Sequence, residues 1–333
     1  MLSRVADSIY WMNRQIERAE NVARATETTL DLALEGTVDP GRLWHALICA
    51  FGDQADFGAR HAVADQARVF EFLAFDSDNP NSIVRCLEAA RENARTIRDL
   101  ISSAMWEEIN KCHLAVRAAA ASRGAGFNPR EFLDDVKRAS QLITGVTDAT
   151  MSHGEAWHFA RMGRLVERAD KTSRVLDVEH FFGPVAHDGR DAVQWSAVLE
   201  SASALEMYRK QYGAVSRRNV AEFLVLDRSF PRAMHFCLIK AEESLLAVTG
   251  GTKGSYSTPA EQRRQRRDPR HVFRRQPGTR RGAFAGAAPL RLNPAGQSPR
   301  EWSPHSVLAE PLQRPARSSS PSRIARVQGA QPM

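Results

Sequence analysis

Cysteine and aromatic residues are scarce in this chain of 333 residues, which has four Cys and an aromatic content of 8%. The cysteines lie far apart and form no CxxC pair, so the sequence predicts neither a disulfide framework nor a structural zinc site. No run of 18 apolar residues occurs, and the N-terminus MLSRVADSIYW lacks the apolar region of a signal peptide. These absences favour a soluble cytoplasmic protein.

Signatures of common catalytic and nucleotide-binding sites are also missing. The chain has no glycine-rich phosphate loop, no HExxH and no GxSxG. His153 and His158 would lie about 140° apart on one helix, which disfavours a shared metal ion. Cys49 and Cys112 each lie near a histidine in sequence, but closeness along the chain does not define a catalytic dyad. We therefore expect no metal and no cofactor, and we assign no catalytic residue.

The whole chain has a formal net charge of +7, and its positive charge is concentrated at the C-terminal end. Residues 251–333 hold 16 basic and 4 acidic residues and 11 of the 16 prolines, whereas residues 1–250 hold 30 basic and 35 acidic residues. Frequent proline and little apolar sequence predict a disordered Arg-, Pro- and Ser-rich tail over residues 258–333. Such an arm could bind nucleic acid through phosphates, but aromatic residues for base stacking are sparse there, so this function is the least favoured.

Helical periodicity dominates residues 1–250, where no convincing alternating strand is found. The sequence therefore predicts an all-α helical bundle. The sequence predicts helix N-caps at Ser3, at Asn81 or Ser82, and at Asn128, and it predicts that a helix ends at Gly36. The predicted helices cover Ser3 to about Glu35, Arg42 to Phe51, Ile83 to about Ala118, a segment starting at Pro129, about Gly154 to His180, an amphipathic run at 192–212, and Pro231 to Gly250.

One charged segment occurs twice. The sequence NRQIERAENVAR at 13–24 returns as GRLVERADKTSR at 163–174, an offset of 150 residues. On a helix, each copy has an apolar stripe, with Ala19 in the first copy and Ala169 in the second, and a charged face on the other side. Small residues in the stripes would allow the two helices to approach closely. The charged residues that recur are Arg14, Glu17, Arg18, Arg24, Arg164, Glu167, Arg168 and Arg174.

This repeated segment has two interpretations. Its residues either lie on solvated faces with local pairs such as Arg14–Glu17, or the two helices make one shared site around a pseudo-twofold axis. Local pairs contribute only a few tenths of a kcal/mol each, and they do not explain the same residue types in the same order. We therefore predict that the two helices are adjacent and that the recurring residues form one ionic network. A weaker third copy, LIKAEESL at 238–245, predicts a bundle built on an internal helical repeat.

The charged faces favour binding over acid–base catalysis. Arginines beside Glu17 and Glu167 would lower the pKa of both carboxyl groups and keep them ionised. Such an arrangement suits the anchoring of a carboxylate, a phosphate or a protein partner through arginine. It suits a neutral general acid poorly.

The repeated segments, together with ENARTIRDLISSAMWEEIN and RNVAEFLVLDRSFPRAMHFCLIKAEESL, resemble the alpha-E domain family of bacterial all-helical proteins with a repeated Glu-Arg motif. The resemblance covers about residues 1–261 and places the family's motif at Glu17-Arg18 and Glu167-Arg168. Family members are typically encoded beside ATP-grasp ligases and transglutaminase-like peptidases. The resemblance thus implies a non-catalytic accessory or binding protein that works with these enzymes in peptide or amide-bond modification. The alternative is an enzyme that uses the Glu-Arg pairs on a peptide amide.

The resemblance also predicts where the helical domain ends. Family members usually continue past YSTPAE, at 256–261, with further amphipathic helix, whereas this chain changes to Arg-, Pro-, Ala- and Ser-rich sequence. We therefore predict an alpha-E-like domain over residues 1–257 and a tail over 258–333. The abrupt change suggests a shift of reading frame near residues 260–266.

Overall fold

The computed structural model of the protein describes residues 1–36, 39–122, 124, 126–177 and 190–251. Within these ranges the chain forms α-helices and no strand, which confirms the predicted all-α class. The predicted tail at 258–333 lies outside the described residues. The helices are α1 Ser3–Glu35, α2 Pro40–Phe51, α3 Gln54–Arg60, α4 Gln66–Ala74, α5 Ile83–Thr96, α6 Ser103–Ala121, α7 Pro129–Thr150, α8 Glu155–Leu176, α9 Arg190–Ser201, α10 Leu205–Tyr212, α11 Arg217–Leu226 and α12 Met234–Thr249.

The long helix α1 is the central element of the bundle. It spans about 50 Å at 1.5 Å per residue, and it packs against α5, α7 and α8. Because neighbours surround it, α1 buries charged as well as apolar residues, for example Glu17 and Glu20 beside Ile9 and Met12. Gly36 ends α1 with a φ of 65°, a left-handed conformation that glycine adopts without strain.

Two of the predicted N-caps are confirmed and one is wrong. The Ser82 hydroxyl accepts a hydrogen bond from the Arg85 amide at the start of α5, and the Asn128 side chain caps α7 ahead of Pro129. Ser3 does not cap α1. It is the first residue of the helix, and the cap position before it provides no side-chain hydrogen bond.

The predicted helix from Ile83 to about Ala118 is two helices, α5 and α6. Helix α5 ends at Thr96, and Ser102 then caps α6 through its hydroxyl. The intervening turn buries Ile97 and Ile101, so the chain reverses and α6 packs back along α5. The sequence here contains no proline or glycine to end a helix. The free energy gained by burying these two isoleucines outweighs the free energy of continuing the helix.

Other predicted helices have different bounds. The run at 192–212 is divided by a bend into α9 and α10, and Ser203 at this bend has a φ of 48°. The second charged segment lies on α8, which ends at Leu176, while the predicted end at His180 lies outside the described residues. Helix α12 starts at Met234 instead of Pro231, and it ends at the predicted Gly250. The short helices α3, α4 and α11 were not predicted.

Helices α1 and α8 are adjacent, as the repeated segments predicted. A close approach occurs at Gly163, where a Cβ atom would lie 2.2 Å from the backbone oxygen of Tyr10. The expectation that Ala169 would serve this approach is wrong. Ala169 packs with Cys237 and Ala241, so its small side chain accommodates α12.

Among the described helices, none combines the length and apolar character needed to cross a lipid bilayer.

Candidate functional site

The two Glu-Arg pairs of the repeated segment bind each other across the α1–α8 contact. Arg18 Nε on α1 donates to Glu167 Oε1 at 2.7 Å, and Arg18 Nη2 donates to Glu167 Oε2 at 3.2 Å. In return, Arg168 Nε on α8 donates to Glu17 Oε1 at 2.7 Å and its Nη2 to Glu17 Oε2 at 2.8 Å. Each arginine thus holds the glutamate of the other copy in a two-point contact, the strongest arrangement for this ion pair.

The first of the resulting clusters, the Glu167 centre, consists of Glu167, Arg14, Arg18 and Lys171. Arg14 Nε donates to Glu167 Oε2 at 2.6 Å, and Lys171 Nζ lies 3.6 Å from Oε1. Arg18 also donates from Nη1 to Asn81 Oδ1 at 3.0 Å. The Glu167 side chain is fully buried and has several charged donors within reach.

The second cluster, the Glu17 centre, consists of Glu17, Arg168, Arg232 and Asn21. Arg232 precedes α12, and its Nη1 donates to Glu17 Oε1 at 3.2 Å. Asn21 Nδ2 donates to the same oxygen at 3.1 Å. Arg232 Nη2 also donates to Glu20 Oε1 at 2.7 Å, so this arginine joins two buried carboxylates of α1. The loop before α12 is thereby fixed to the central helix.

Three of the predicted site residues lie around these centres without binding either central glutamate. Arg24 pairs with Glu20, one helical turn away, and also donates to the hydroxyl of Ser203. Arg174 Nε donates to Asp170 Oδ2 at 3.0 Å. Arg164 has a single ion pair in the described part of the chain, a contact of 3.8 Å from Nη2 to Asp148 Oδ2. The structure thus brings Arg14 and Arg18 into contact with Glu167, and Arg168 into contact with Glu17, with the other three predicted residues at the periphery.

The central glutamates are held ionised. Burial would raise the pKa of Glu17, but Arg168 and Arg232 outweigh this effect and lower the pKa to about 2. Burial likewise opposes the charge on Glu167, and the three cations of its centre lower its pKa well below the usual range. Neither carboxyl group can supply a proton near neutral pH, because both are already deprotonated and accept hydrogen bonds.

The cysteines are poor nucleophiles where they stand. Burial raises the pKa of Cys86, Cys112 and Cys237 to about 12. Cys49 does contact a histidine, since its Sγ lies 3.5 Å from His45 Nδ1 one turn back on α2. Burial nevertheless raises the pKa of the Cys49 thiol as well, so the thiolate needed for attack is disfavoured.

The histidines near the start of α8 flank an aromatic ring. His153 stacks on Trp157 with ring centroids 4.1 Å apart, and His158 contacts the same ring edge-on at 5.0 Å. His153 precedes α8, which begins at Glu155, so the predicted angular separation on one helix does not apply.

Arg232 and Asn81 are site residues that the sequence interpretation missed. They occupy the same position in a second pair of similar segments, EFLAFDSDNPNSIVRCLEAA at 71–90 and EFLVLDRSFPRAMHFCLIKA at 222–241. The two segments also share a contact: Cys86 Sγ lies 3.8 Å from the Pro80 carbonyl oxygen, and Cys237 Sγ lies 3.3 Å from that of Pro231. This similarity, at an offset of 151 residues, is the sequence feature that would have pointed to Arg232 and Asn81 as site residues.

The weak third copy of the charged segment takes no part in the two centres. Lys240 Nζ lies 3.0–3.1 Å from both carboxylate oxygens of Glu243 on its own helix. Ala241 is buried against α8. The internal helical repeat itself stays a prediction.

Comparisons with known proteins identify the family of the chain. A family model described as "a predicted alpha-helical domain with a conserved ER motif" matches residues 1–276, past residue 261 where the resemblance was expected to end. Uncharacterised proteins of Mycobacterium bovis and Mycobacterium tuberculosis are each 24% identical over 278 residues, which covers 76% of this chain and only 30% of the relative. No solved structure matches significantly. Because the family model covers most of its length, the chain belongs to the Alpha-E family.

Proposed function

We propose that this protein is a non-catalytic helical binding module that works with an ATP-grasp-type ligase and a transglutaminase-like peptidase in peptide or amide-bond modification. The proposal combines two supports. Membership of the Alpha-E family is one, and family members are typically encoded beside such enzymes. The other is the chemistry of the crossed Glu-Arg pairs, which suits recognition and rigidity.

One observation carries the proposal: charged hydrogen-bond donors already occupy the carboxylate oxygens of both central glutamates. A general acid or base must exchange a proton and reach a substrate atom. Glu17 and Glu167 are 2% and 0% exposed, and their oxygens already accept charged hydrogen bonds. Direct contact with a peptide amide would require breaking both pairs. The partly exposed arginines at the edge of the network are better placed to meet a partner.

The second candidate, an enzyme that acts through the Glu-Arg pairs, has no specific observation in its favour. The pKa of Glu17 is about 2, so its carboxyl group holds no proton to donate at neutral pH. Reaction through cysteine meets the opposite obstacle, because the four thiols are buried and their raised pKa values keep them protonated. These properties favour binding as the role of the chain.

The length of the relatives supports a modular role. This region makes up 30% of each mycobacterial relative, so related sequence is found as one part of a longer protein. A helical unit that recognises a substrate or partner for neighbouring enzymes can act as a separate protein or as one domain of a longer protein.

The test is affinity purification of the tagged chain from its native host after mild cross-linking. We expect recovery of both an ATP-grasp-type ligase and a transglutaminase-like peptidase, and their loss in an untagged control. Recovery of neither enzyme would contradict the proposal. Turnover of a peptide amide by the purified chain alone, abolished by Glu17→Gln, would replace it with the enzymatic alternative.

A further inference from the structure

The two glutamate centres differ in how many cations they leave without an acceptor. In the Glu167 centre, Arg14 binds the glutamate through Nε at 2.6 Å and lies over the Trp11 ring at 5.0 Å. Arg164 stands at the equivalent place in the second copy, yet Arg232 occupies Glu17 instead. Within the described residues, Arg164 makes no hydrogen bond, and only Asp148 lies within ion-pair distance, at 3.8 Å.

Protein groups neutralise Arg164 only weakly. Its side chain is 14% exposed, and none of its nitrogen atoms is both buried and without a partner, so water satisfies its N–H donors. Asp148 is 45% exposed and already accepts a hydrogen bond from the Trp157 indole at 3.0 Å, which weakens its ability to neutralise Arg164. An entering oxyanion would replace that water with a charge-assisted hydrogen bond in a site of low exposure.

Positive charge is in excess around the Glu17 centre as a whole. Four arginines, Arg24, Arg164, Arg168 and Arg232, lie around two buried carboxylates, Glu17 and Glu20, and the half-exposed Asp148 is the third acid beside them. Burial and the neighbouring Arg168 lower the pKa of Arg164, and burial together with Arg232 lowers the pKa of Arg24 to about 10. Arg24 is 5% exposed and its Nε atom has no hydrogen-bond partner. Glu17 stabilises the charge of Arg168, whose pKa is raised, whereas Arg164 and Arg24 experience net repulsion from neighbouring arginines, which an anion at the edge of the cluster would relieve.

The geometry points to an oxyanion-binding site at the edge of the Glu17 centre, in which Arg164 binds a carboxylate or phosphate group while Arg168 and Arg232 add positive charge. Arg164 and Arg168 are four residues apart on α8 and share a face. The side chains of Arg168 and Arg232 are 14% and 11% exposed, so the cluster is reachable from solvent. A planar guanidinium presents paired donors that match either group.

This inference deepens the proposed function, on which it rests, by naming the chemical class of the bound group. Enzymes that form or cleave peptide amides act on chains that carry free carboxylates. A site for such a group would position the end of a peptide, whereas a phosphate site would position a phosphorylated or nucleotide-derived group. The shared requirement is an oxyanion, and the test separates the two sources.

The binding test uses the purified full-length chain and isothermal titration calorimetry with three probes. These are a short acetylated peptide with a free C-terminal carboxylate, the same peptide as its C-terminal amide, and inorganic phosphate. If the natural ligand is a carboxylate, we expect the chain to bind the acid peptide. If it is a phosphate group, we expect the chain to bind phosphate. In neither case should the amide peptide bind. Equal binding of the acid and amide peptides would overturn the inference, as would failure of both anions to bind.

The variant Arg164→Gln should weaken the affinity for the bound anion by about tenfold or more, the usual effect of losing a charged hydrogen bond. Arg138→Gln is the control, because Arg138 lies on α7, is 74% exposed and pairs with Asp134 on its own helix. This control should bind the anion as the parent does. An unchanged affinity of Arg164→Gln would refute the assignment.

Thermal unfolding without ligand separates a binding role from a structural one. Arg164→Gln should leave the midpoint unchanged or raise it, because the charge removed has only a long ion pair with the half-exposed Asp148. Arg14→Gln should lower the midpoint, because it removes a donor from Glu167. Equal losses in the two variants would make Arg164 a structural residue. These experiments need no partner enzyme, so their failure is distinguishable from failure to recover the ligase and peptidase.

Discussion

The contact between Arg18 and Glu167 provides the sharpest test of the crossed network. Glu167→Gln leaves Arg14, Arg18 and Lys171 around a neutral group in a site where the glutamate is fully buried. Removing one member of a buried ionic group costs about 3–5 kcal/mol of unfolding free energy. Arg18→Met should cost less, about 1.5–3 kcal/mol, because Glu167 keeps two other cations. If the residues are coupled, the double variant should lose less unfolding free energy than the two single variants lose in sum. The difference should be about 2–3 kcal/mol.

The assay is a double-mutant cycle read by urea unfolding at pH 7, with all four proteins compared at the same salt concentration. The control cycle uses Arg95 and Glu92, an ion pair of 2.8 Å on α5 whose side chains are 60% and 47% exposed. Its coupling should stay below about 1 kcal/mol. A coupling within about 0.5 kcal/mol of zero for Arg18 and Glu167 would show that the residues act independently, and the crossed-pair reasoning would be refuted.

The remaining predictions concern pH, helix approach and thiol reactivity. Because the pKa of Glu17 falls from 4.5 in the unfolded chain to about 2 in the folded one, its stabilising contribution should be complete above about pH 4.5 and lost as the pH falls towards 2. Urea unfolding between pH 7 and pH 2 should show this decline, and Glu17→Gln should flatten it. Gly163→Ala should destabilise the protein by about 1–3 kcal/mol, because its Cβ would meet the Tyr10 carbonyl, whereas Gly145→Ala on α7 has open space and should be neutral or stabilising in the same assay. A thiol reagent should react slowly with the native chain and fully after denaturation; rapid native labelling would contradict the burial of Cys49, Cys86, Cys112 and Cys237.

Features fixed by a few neighbouring residues could be predicted from the sequence. Asn128 followed by Pro129 starts α7 at the predicted place, and Gly36 and Gly250 end α1 and α12 with positive φ. Each depends on the intrinsic backbone preference of a residue, and Asn128 and Gly250 each add one local hydrogen bond. The adjacency of α1 and α8 was also predictable, because recurrence of charged residues in register requires a common reason for both copies.

Features fixed by distant contacts could not be read in the same way. The turn between α5 and α6 contains no glycine or proline, and its position depends on the burial of Ile97 and Ile101. The pairing of Arg18 with Glu167 instead of with a residue of its own helix depends on the α1–α8 geometry. Arg232 lies in a loop, where periodicity gives no indication that its side chain reaches Glu17 and Glu20.

Crossed pairing has a consequence for the unit that folds. Glu17 on α1 depends on Arg168 of α8, and Glu167 on α8 depends on Arg18 of α1. If the two helices separated, two buried carboxylates and their arginines would lose their partners together. The network therefore couples the N-terminal helices to the helices after residue 155 and favours a single cooperative transition.

That structural role explains the arginines that bind buried carboxylates, but it does not explain Arg164, whose one ion pair in the described part of the chain is a long contact with a half-exposed acid. A purely structural network would be most stable with each guanidinium matched to an acceptor, as Arg14 is matched to Glu167. Arg164 departs from this pattern, since Arg232 takes up its expected acceptor and its ion-pair partner Asp148 is half-exposed. An external anion would supply Arg164 with the acceptor that Glu167 supplies to Arg14. The asymmetry between the two centres, more than their similarity, is thus the structural basis of the proposed binding function.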